Sequence, residues 1–283
     1  MWWLPDSCTE VVQRAQTAYN LKQYERAASD FEAALSHCTA KEPVYLALGQ
    51  AQLMGRQFAE AVQSFSKIPN NPMARKMSAD ALYLQGKDTE AEEMLKSALR
   101  LDPKHEPSLY ALGRMYYQSS RYPEAVEQFQ KVLALDTKSY RAHDNLGLVY
   151  DAMQQDSLAL KHFFAALNLV MKDHPDYDWA HANLADFFLK RNQYEKAFQL
   201  ASEAANRNPS SARNFFLTGK ALAGLNKDEL ALKWLRQAVA LDPEYASAHY
   251  ALGQALRRTG HAEEAAKHFE IFKKVNTNAR AKR

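Results

Sequence analysis

The chain has 283 residues, of which 47% are hydrophobic, and it carries a formal net charge of +3 at pH 7. That charge is too small for a protein dedicated to binding nucleic acid, because phosphate contacts require a strongly basic surface. No apolar run approaches the length of a membrane-spanning helix, and residues 1–5 lack the basic start of a signal peptide. We therefore expect a cytoplasmic protein without a membrane span.

Apolar residues recur at helical spacing along the chain, in segments that are separated by turn signals. Pro with Asn or Asp ends several segments, at 69–72, 102–103, 173–176, 208–209 and 242–243. The pattern predicts eight pairs of helices: 9–21 with 24–37, 44–54 with 58–67, 73–85 with 89–101, the two parts of 106–137, 140–153 with 157–172, 179–190 with 194–207, 212–225 with 228–241, and 246–259 with 262–275.

The fourth pair shows most clearly how two such helices pack. Leu109, Gly113 and Tyr116 fall on one face of its first helix, and Ala125 and Phe129 fall on one face of its second helix. Neither helix can bury its apolar stripe alone, so the two are expected to form a helical hairpin. The small residues, Gly113 and Ala125, are expected where the two helix backbones approach most closely.

The same arrangement recurs in register along the chain. If Gly113 is position 8 of a repeat, the equivalent small residues are Ala15, Gly49, Ala79, Gly147, Ala185, Gly219 and Gly253. An alanine follows each of them twelve residues later: Ala27, Ala61, Ala91, Ala125, Ala159, Ala197, Ala231 and Ala265. A mostly large apolar residue follows after four more: Phe31, Phe65, Leu95, Phe129, Phe163, Ala201, Leu235 and Phe269.

This Leu-Gly-x2-Tyr then Ala-x3-Phe pattern resembles the tetratricopeptide repeat, a helix-turn-helix unit of 34 residues. The usual first Trp is Leu109 here, and the usual final Pro is Thr137. The resemblance covers about residues 8–277, which we predict to form a single solenoid between an N-terminal extension, 1–7, and a basic tail, 278–283. Its repeats are 8–41, 42–71, 72–105, 106–139, 140–177, 178–211, 212–245 and 246–277.

The resemblance implies an all-α right-handed superhelix that acts as a non-enzymatic scaffold or adaptor. In the family, the first helix of each hairpin lines a concave groove that binds an extended peptide or partner segment. The alternative is a structural solenoid that associates with itself through its ends. Carried onto this sequence, the groove positions include Tyr83, Tyr110, Arg114, Tyr117, Asp144, Asn145, Trp179, Asn183, Asp186, Lys220, Tyr250 and Arg257.

Two of these groove positions carry amides in neighbouring repeats. Asn145 and Asn183 share one position, which is similar to the asparagine ladder of the O-linked N-acetylglucosamine transferase repeats. A side-chain amide both donates and accepts hydrogen bonds, which suits an extended peptide backbone. The clamp of chaperone-binding repeats is not expected, since Asp80 stands where that clamp needs Asn.

Catalytic and metal-binding patterns are not found in the sequence. Nucleotide-binding glycine motifs, zinc-protease motifs and nucleophile elbows are all missing, so we expect neither an enzyme nor a cofactor. His143, His181 and His249 occupy the same position of their repeats, which favours packing over metal binding. His261 and His268 lie seven residues apart without a third ligand, so no metal site is expected.

The two cysteines, Cys8 and Cys38, lie at the ends of one predicted hairpin that a helical return brings together. A disulfide between them is geometrically feasible, and it would indicate an oxidising, periplasmic or secreted, location. The alternative is two reduced thiols in a cytoplasmic protein.

Both ends of the predicted solenoid carry apolar residues with nothing to cover them. Trp2, Trp3 and Leu4 precede the first helix, and Phe272 lies in the last. Exposed apolar surface favours association, so a weak homodimer through the C-terminal helix is expected. The last eleven residues carry five cations and no acid. A solvated tail or an anion-binding run are the two interpretations of that segment.

Overall fold

The computed structural model describes residues 7–281, with side chains to residue 277, and this part of the chain contains helices and no strands. The all-α class is therefore confirmed. The chain separates into two compact units, Met1–Thr137 and Lys138–Arg283, each described by itself below. Trp2, Trp3, Leu4 and the rest of 1–6 lie outside the described residues.

Each unit consists of successive helical hairpins. The first unit contains α1 (Cys8–Asn20), α2 (Tyr24–His37), α3 (Lys41–Met54), α4 (Phe58–Ser66), α5 (Pro72–Leu84), α6 (Asp88–Leu101), α7 (Glu106–Gln118) and α8 (Tyr122–Leu135). The second unit contains α9 (Tyr140–Ala152), α10 (Asp156–Asp173), α11 (Trp179–Lys190), α12 (Tyr194–Arg207), α13 (Ala212–Gly224), α14 (Asp228–Leu241), α15 (Ala246–Arg258) and α16 (Ala262–Ala281).

Local sequence signals fix where many of these helices begin. The Ser7 hydroxyl accepts from the Glu10 N–H and the Glu10 carboxylate accepts from the Ser7 N–H, which forms a capping box at the start of α1. At the start of α5 the Asn71 side-chain oxygen accepts from the Ala74 N–H, with Pro72 in the first turn. These caps satisfy backbone donors that have no partner within the helix.

A left-handed residue reverses the chain within every hairpin. The residues with positive φ between paired helices are Lys22, Arg56, Gly86, Ser120, Gln154, Asn192, Asn226 and Gly260. The backbone bonds around Lys22 are typical of all of them: its N–H donates to the Tyr19 carbonyl, and the next N–H donates to the Ala18 carbonyl. This arrangement satisfies the last carbonyls of the first helix, and it does so mostly without glycine.

At most of the glycines in position 8, a phenylalanine ring of the paired helix lies against the backbone; at Gly219 the side chain is Leu235. A Cβ atom added to Gly113 would lie 2.9 Å from Phe129 Cε1, and one added to Gly147 would lie 2.5 Å from Phe163 Cδ1. The space that glycine leaves is filled by the ring of its own hairpin's second helix, and Ala125 is fully buried beside it. At the equivalent pair of another repeat, a Cβ added to Gly219 would also lie 3.3 Å from the Ala231 carbonyl oxygen, in line with the expected close approach of the two helix backbones.

The two irregular repeat lengths arise in second helices, as the sequence predicts. The helix α4 has 9 residues and stops before the Pro-Asn segment, whereas α10 has 18 residues. The extension of α10 ends beside a ring cluster in which His174 and Tyr177 contact Tyr140, at centroid distances of 4.2 and 4.8 Å.

The C-terminal helix is longer than the sequence predicts. Instead of ending at residue 275, α16 continues to Ala281, so residues 278–281 extend the last helix and are not a separate tail. On this helix Ile271 is 37% exposed, and Phe272 and Val275 are partly exposed.

Cys8 and Cys38 are joined by a disulfide. Cys8 is the first residue of α1 and Cys38 is the C-cap of α2, with their Cα atoms 4.9 Å apart. The bond closes the hairpin of α1 and α2, and α2 packs against α3 of the next hairpin. Because a cross-link of this kind restricts mainly the unfolded chain, it opposes fraying of the hairpin.

Candidate functional site: the first-helix face

The first helices of successive hairpins are neighbours within each unit. In the second unit α11 contacts both α9 and α13, and α13 contacts α15; in the first unit α5 contacts α3 and α7. We call the surface formed by these helices the first-helix face. All twelve groove residues that the sequence predicts lie on these helices, four in the first unit and eight in the second.

The face in the first unit carries tyrosines of different exposure. Tyr83 is 40% exposed, and its hydroxyl donates to Gln118 Oε1 at 2.8 Å. The half-buried Tyr110 ring packs edge-on against Phe129, with ring centroids 5.7 Å apart, and Tyr117 lies 6.1 Å from the Tyr122 ring. Arg114 is exposed between them. These tyrosines therefore support the hairpins and also reach the surface.

The face in the second unit is organised by a buried polar network. Asp144 is 1% exposed and accepts hydrogen bonds from the Tyr177 hydroxyl at 2.8 Å and Asn183 Nδ2 at 2.9 Å. Asn183 Oδ1 in turn accepts from Arg213 Nη2 at 2.9 Å. The Arg213 guanidinium lies 5.1 Å from the centroid of the Trp179 ring, which is 52% exposed. The network thus connects a buried carboxyl to an exposed indole.

Burial controls the charge of this network. It raises the pKa of the Asp144 carboxyl to about 6, although Asn183, Tyr177 and Arg213 each act to lower it. Asp144 Oδ1 and Arg213 Nη1 are buried without a hydrogen-bond partner among the described residues. The site therefore holds one unused acceptor and one unused donor beneath the surface, which is costly unless something compensates for it.

The predicted amide ladder is occupied by bonds inside the protein. Asn145 is 9% exposed and donates from Nδ2 to the Arg141 carbonyl, and Asn183 is 3% exposed and belongs to the network of Asp144. Both amides and the Asp144 carboxyl therefore lie beneath the surface and do not line it. Sequence position alone cannot distinguish such a buried amide from an exposed one.

Asp186, the second carboxylate among the predicted groove residues, is neutralised by a lysine of its own helix. Asp186 accepts an ion pair from Lys190 at 3.0 Å, and the same ammonium lies 2.9 Å from Asp151. Arg191 also pairs with Asp151. Lys190 and Arg191 were not among the residues predicted for the groove, so these ion-pair partners were not expected from the sequence.

The cationic groove residues that the sequence predicts, Lys220 and Arg257, are exposed. Lys220 is exposed, with its ammonium 5.8 Å from the Phe216 ring centroid, and Arg257 is exposed at the end of α15. Tyr250 is 43% exposed, and its ring lies 5.0 Å from that of Phe272. This end of the face therefore combines cations with an aromatic ring.

Two histidine pairs are features that the sequence analysis missed. His143 and His162 approach at 3.0 Å between Nδ1 atoms, and His249 and His268 approach at 2.9 Å. Burial, and then the nearby His143, lower the pKa of His162 to about 4. Both pairs join the first and second helix at the same spacing of 19 residues, a repeat signal that was visible in the sequence.

Groups of three or more side chains suited to a metal ion do not occur in the described part of the chain. Within the same residues, every helix is too short or too polar to cross a lipid bilayer.

Sequence comparison identifies the repeats directly. Two profiles of the tetratricopeptide repeat match, one over residues 12–72 and 46–106 and the other over residues 113–154 and 219–260. The chain belongs to the tetratricopeptide repeat family. Proteins of this family mediate protein–protein interactions, and the solenoid described above is such a scaffold.

Individual relatives are distant and much longer than this chain. Anaphase-promoting complex subunit 3 of Schizosaccharomyces pombe is 25% identical over 211 residues, which are 75% of this chain and 31% of that protein. Protein O-mannosyl-transferase TMTC1 of Homo sapiens is 28% identical over 172 residues, 59% of this chain and 19% of that protein. The chain thus spans about a third or less of these relatives.

A solved structure supports the fold. A tetratricopeptide repeat protein from Parabacteroides merdae superposes with a TM-score of 0.69 at 18% sequence identity, covering 88% of this chain and 98% of that one. At this identity the similarity establishes the fold alone.

Proposed function

We propose that the protein is a non-enzymatic scaffold or adaptor that binds an extended segment of a partner protein on its first-helix face. The observation that carries the proposal is the exposed Trp179 indole, which packs on the Arg213 guanidinium above a buried hydrogen-bond network. Trp and Arg are the side chains most enriched among residues that dominate binding energy.

The network prepares Trp179 and Arg213 for binding. Asn183 holds the guanidinium through a direct hydrogen bond, and Asp144 holds Asn183. Because the guanidinium is fixed before a partner arrives, less side-chain freedom is lost on association. The Trp179 ring, which is 52% exposed, then offers a large apolar surface that a partner side chain can cover.

Charge gives the bound segment a direction. Lys220 on α13 and Arg257 on α15 are exposed cations. In contrast, the negative charges of Asp186 and Asp151 are compensated by Lys190. The partner segment therefore carries an acidic part against α13 and α15 and an apolar or aromatic residue against Trp179.

The proposal is tested with peptides selected from a random library on the intact protein. We expect Trp179→Ala to weaken the selected peptides by about 30-fold, since the loss of an interface anchor costs about 2 kcal/mol. The matched control is Leu230→Ala, which removes a similarly exposed apolar side chain from a second helix, α14. Equal losses in both variants, or a loss only in the control, would refute binding on the first-helix face.

The same proposal excludes a catalytic role, a cofactor and a nucleic-acid partner for this chain. The relative that is named a transferase aligns with this chain over 19% of its own length, so the alignment leaves most of that protein unmatched. The small net charge also favours proteins over nucleic acids as partners.

We also propose that the protein works in an oxidising compartment, the alternative to the cytoplasmic expectation. The Cys8–Cys38 disulfide supports this, because such bonds persist mainly outside the reducing cytosol. Protein that is unfolded without reductant in an excess of a thiol-reactive probe should show no labelling of either cysteine. Two reactive thiols per chain under those conditions would place the protein in a reducing compartment.

A further inference from the structure

A second groove in the first unit is lined mainly by residues of second helices, with none of the residues predicted for the first-helix face among them. It lies between α2 and α4, which both pack on α3, and encloses about 490 Å³. Leu35, Tyr45 and Leu48 form its apolar floor. We call it the α2–α4 groove.

Carboxylates on the two rims give this groove a negative charge. Glu25 and Glu32 line it from α2, and Glu60 lines it from α4, against a single lysine, Lys67. All three carboxylates are exposed, and none of them forms an ion pair within the described residues. In contrast, Asp30 on the same helix is paired with Arg14. The charge on the groove is therefore not compensated by the chain around it.

The last helix carries a surface of complementary chemistry. Lys267, Ile271, Lys274 and Val275 follow the spacing i, i+4, i+7 and i+8, which places them on one face of α16. Ile271 is 37% exposed and Val275 is partly exposed, and neither lysine has an ion pair in the described part of the chain. We call these four residues the basic face of α16.

We propose that the basic face of α16 of one molecule docks in the α2–α4 groove of a second molecule. Ile271 and Val275 would cover the floor at Leu35 and Tyr45, and the two lysines would approach the rim carboxylates. This is the helix-in-groove mode of recognition, in which apolar contacts give affinity and charges fix the register. The contact is independent of peptide binding at Trp179.

The geometry of this contact determines the kind of assembly. The two surfaces lie on different parts of the chain, so the interface is heterologous and leaves a free groove and a free helix on every pair. Association therefore continues into chains or closes into rings as the concentration rises. A contact of one helix with one groove is small, so each link is weak, and it weakens further in high salt.

The first test uses a labelled peptide of residues 262–281 and the intact protein. Binding should weaken about tenfold or more when Glu25, Glu32 and Glu60 are changed to Gln together, since three charge contacts are lost. The matched control changes Glu90, Glu195 and Glu229 to Gln, which removes the same charge from exposed sites on other helices that also lack ion pairs. Equal weakening in both triple variants would overturn the proposal by showing that only net charge matters.

The second test uses the full chain, so that it does not depend on helix formation in the isolated peptide. Sedimentation from low to several hundred micromolar protein should show concentration-dependent growth, which Lys267→Glu with Lys274→Glu abolishes. Mixing that variant with one carrying Glu25→Lys and Glu32→Lys should restore association between the two. A chain that stays monomeric throughout, or a charge exchange that restores nothing, overturns the proposal.

The two proposals fail separately. Trp179→Ala should leave the growth in sedimentation unchanged while it weakens the binding of the selected peptides about 30-fold. If the groove binds polylysine but not the 262–281 peptide or a second chain, its occupant is a basic segment of another protein and the proposed self-association is wrong.

Discussion

Replacing Gly147 with valine should destabilise the protein by roughly 2–3 kcal/mol, because the added side chain enters space that an aromatic ring already fills. An added Cβ would lie 2.5 Å from Phe163 Cδ1, and Phe163 is fully buried. The ring has little room to move, since it packs edge-on against Phe187 at a centroid distance of 5.7 Å. Urea unfolding followed by circular dichroism measures the loss.

A double-mutant comparison isolates the clash from other effects of valine. Phe163→Ala alone should cost about 3–5 kcal/mol through the cavity that it leaves. Adding Gly147→Val to that variant should cost little more, because the ring that valine meets is gone. Costs that simply add in the double variant would contradict the account of why position 8 is small.

Asp144→Asn should remove a pH-dependent part of the free energy of unfolding, on the order of 3 kcal/mol. The size follows because each unit of pKa difference between the folded and unfolded states corresponds to about 1.4 kcal/mol. The carboxyl has a pKa of about 6 in the folded protein and an ordinary value of 3.8. Between these values the folded state binds more protons than the unfolded state, so stability falls as pH rises. The asparagine variant has no proton to release and should not show that decline.

The variant must be compared with the wild type at each pH, because histidines act in the opposite direction. Burial lowers the pKa of His162 and of His181 to about 4, so their contribution is present above pH 6.5 and is lost as pH falls. Subtracting the two free energies of unfolding cancels these residues. A difference that is constant from pH 4 to pH 7 would contradict a buried carboxyl at this site.

The fold was accessible from the sequence because its determinants are local and repeated. The small residue at position 8, the alanine twelve residues later and the mostly large apolar residue four residues after that predicted every hairpin. The short α4 and the long α10 followed from spacings of 30 and 38 residues between successive position-8 residues. A residue with left-handed backbone also occurs at the same place in every hairpin turn, but the sequence did not predict it. Six of its eight occurrences are not glycine, so residue type gave no common signal.

The candidate site was only partly accessible. The sequence placed Trp179 and Asn183 on the correct helix, but it could not show that the amide is buried and bonded to Asp144. Burial depends on neighbours that are distant along the chain: Tyr177 lies 33 residues after Asp144, and Arg213 lies 30 residues after Asn183. Contacts at that separation leave no periodic trace in a single chain.

A photo-cross-linking amino acid placed in the intact protein tests the central claim most directly. With a library-selected peptide bound, the probe at Trp179 or Tyr250 on the first-helix face should form a cross-link to the peptide. The same probe at Leu230 on a second helix should form none. Cross-links at Leu230 without any at Trp179 or Tyr250 would contradict binding on the first-helix face.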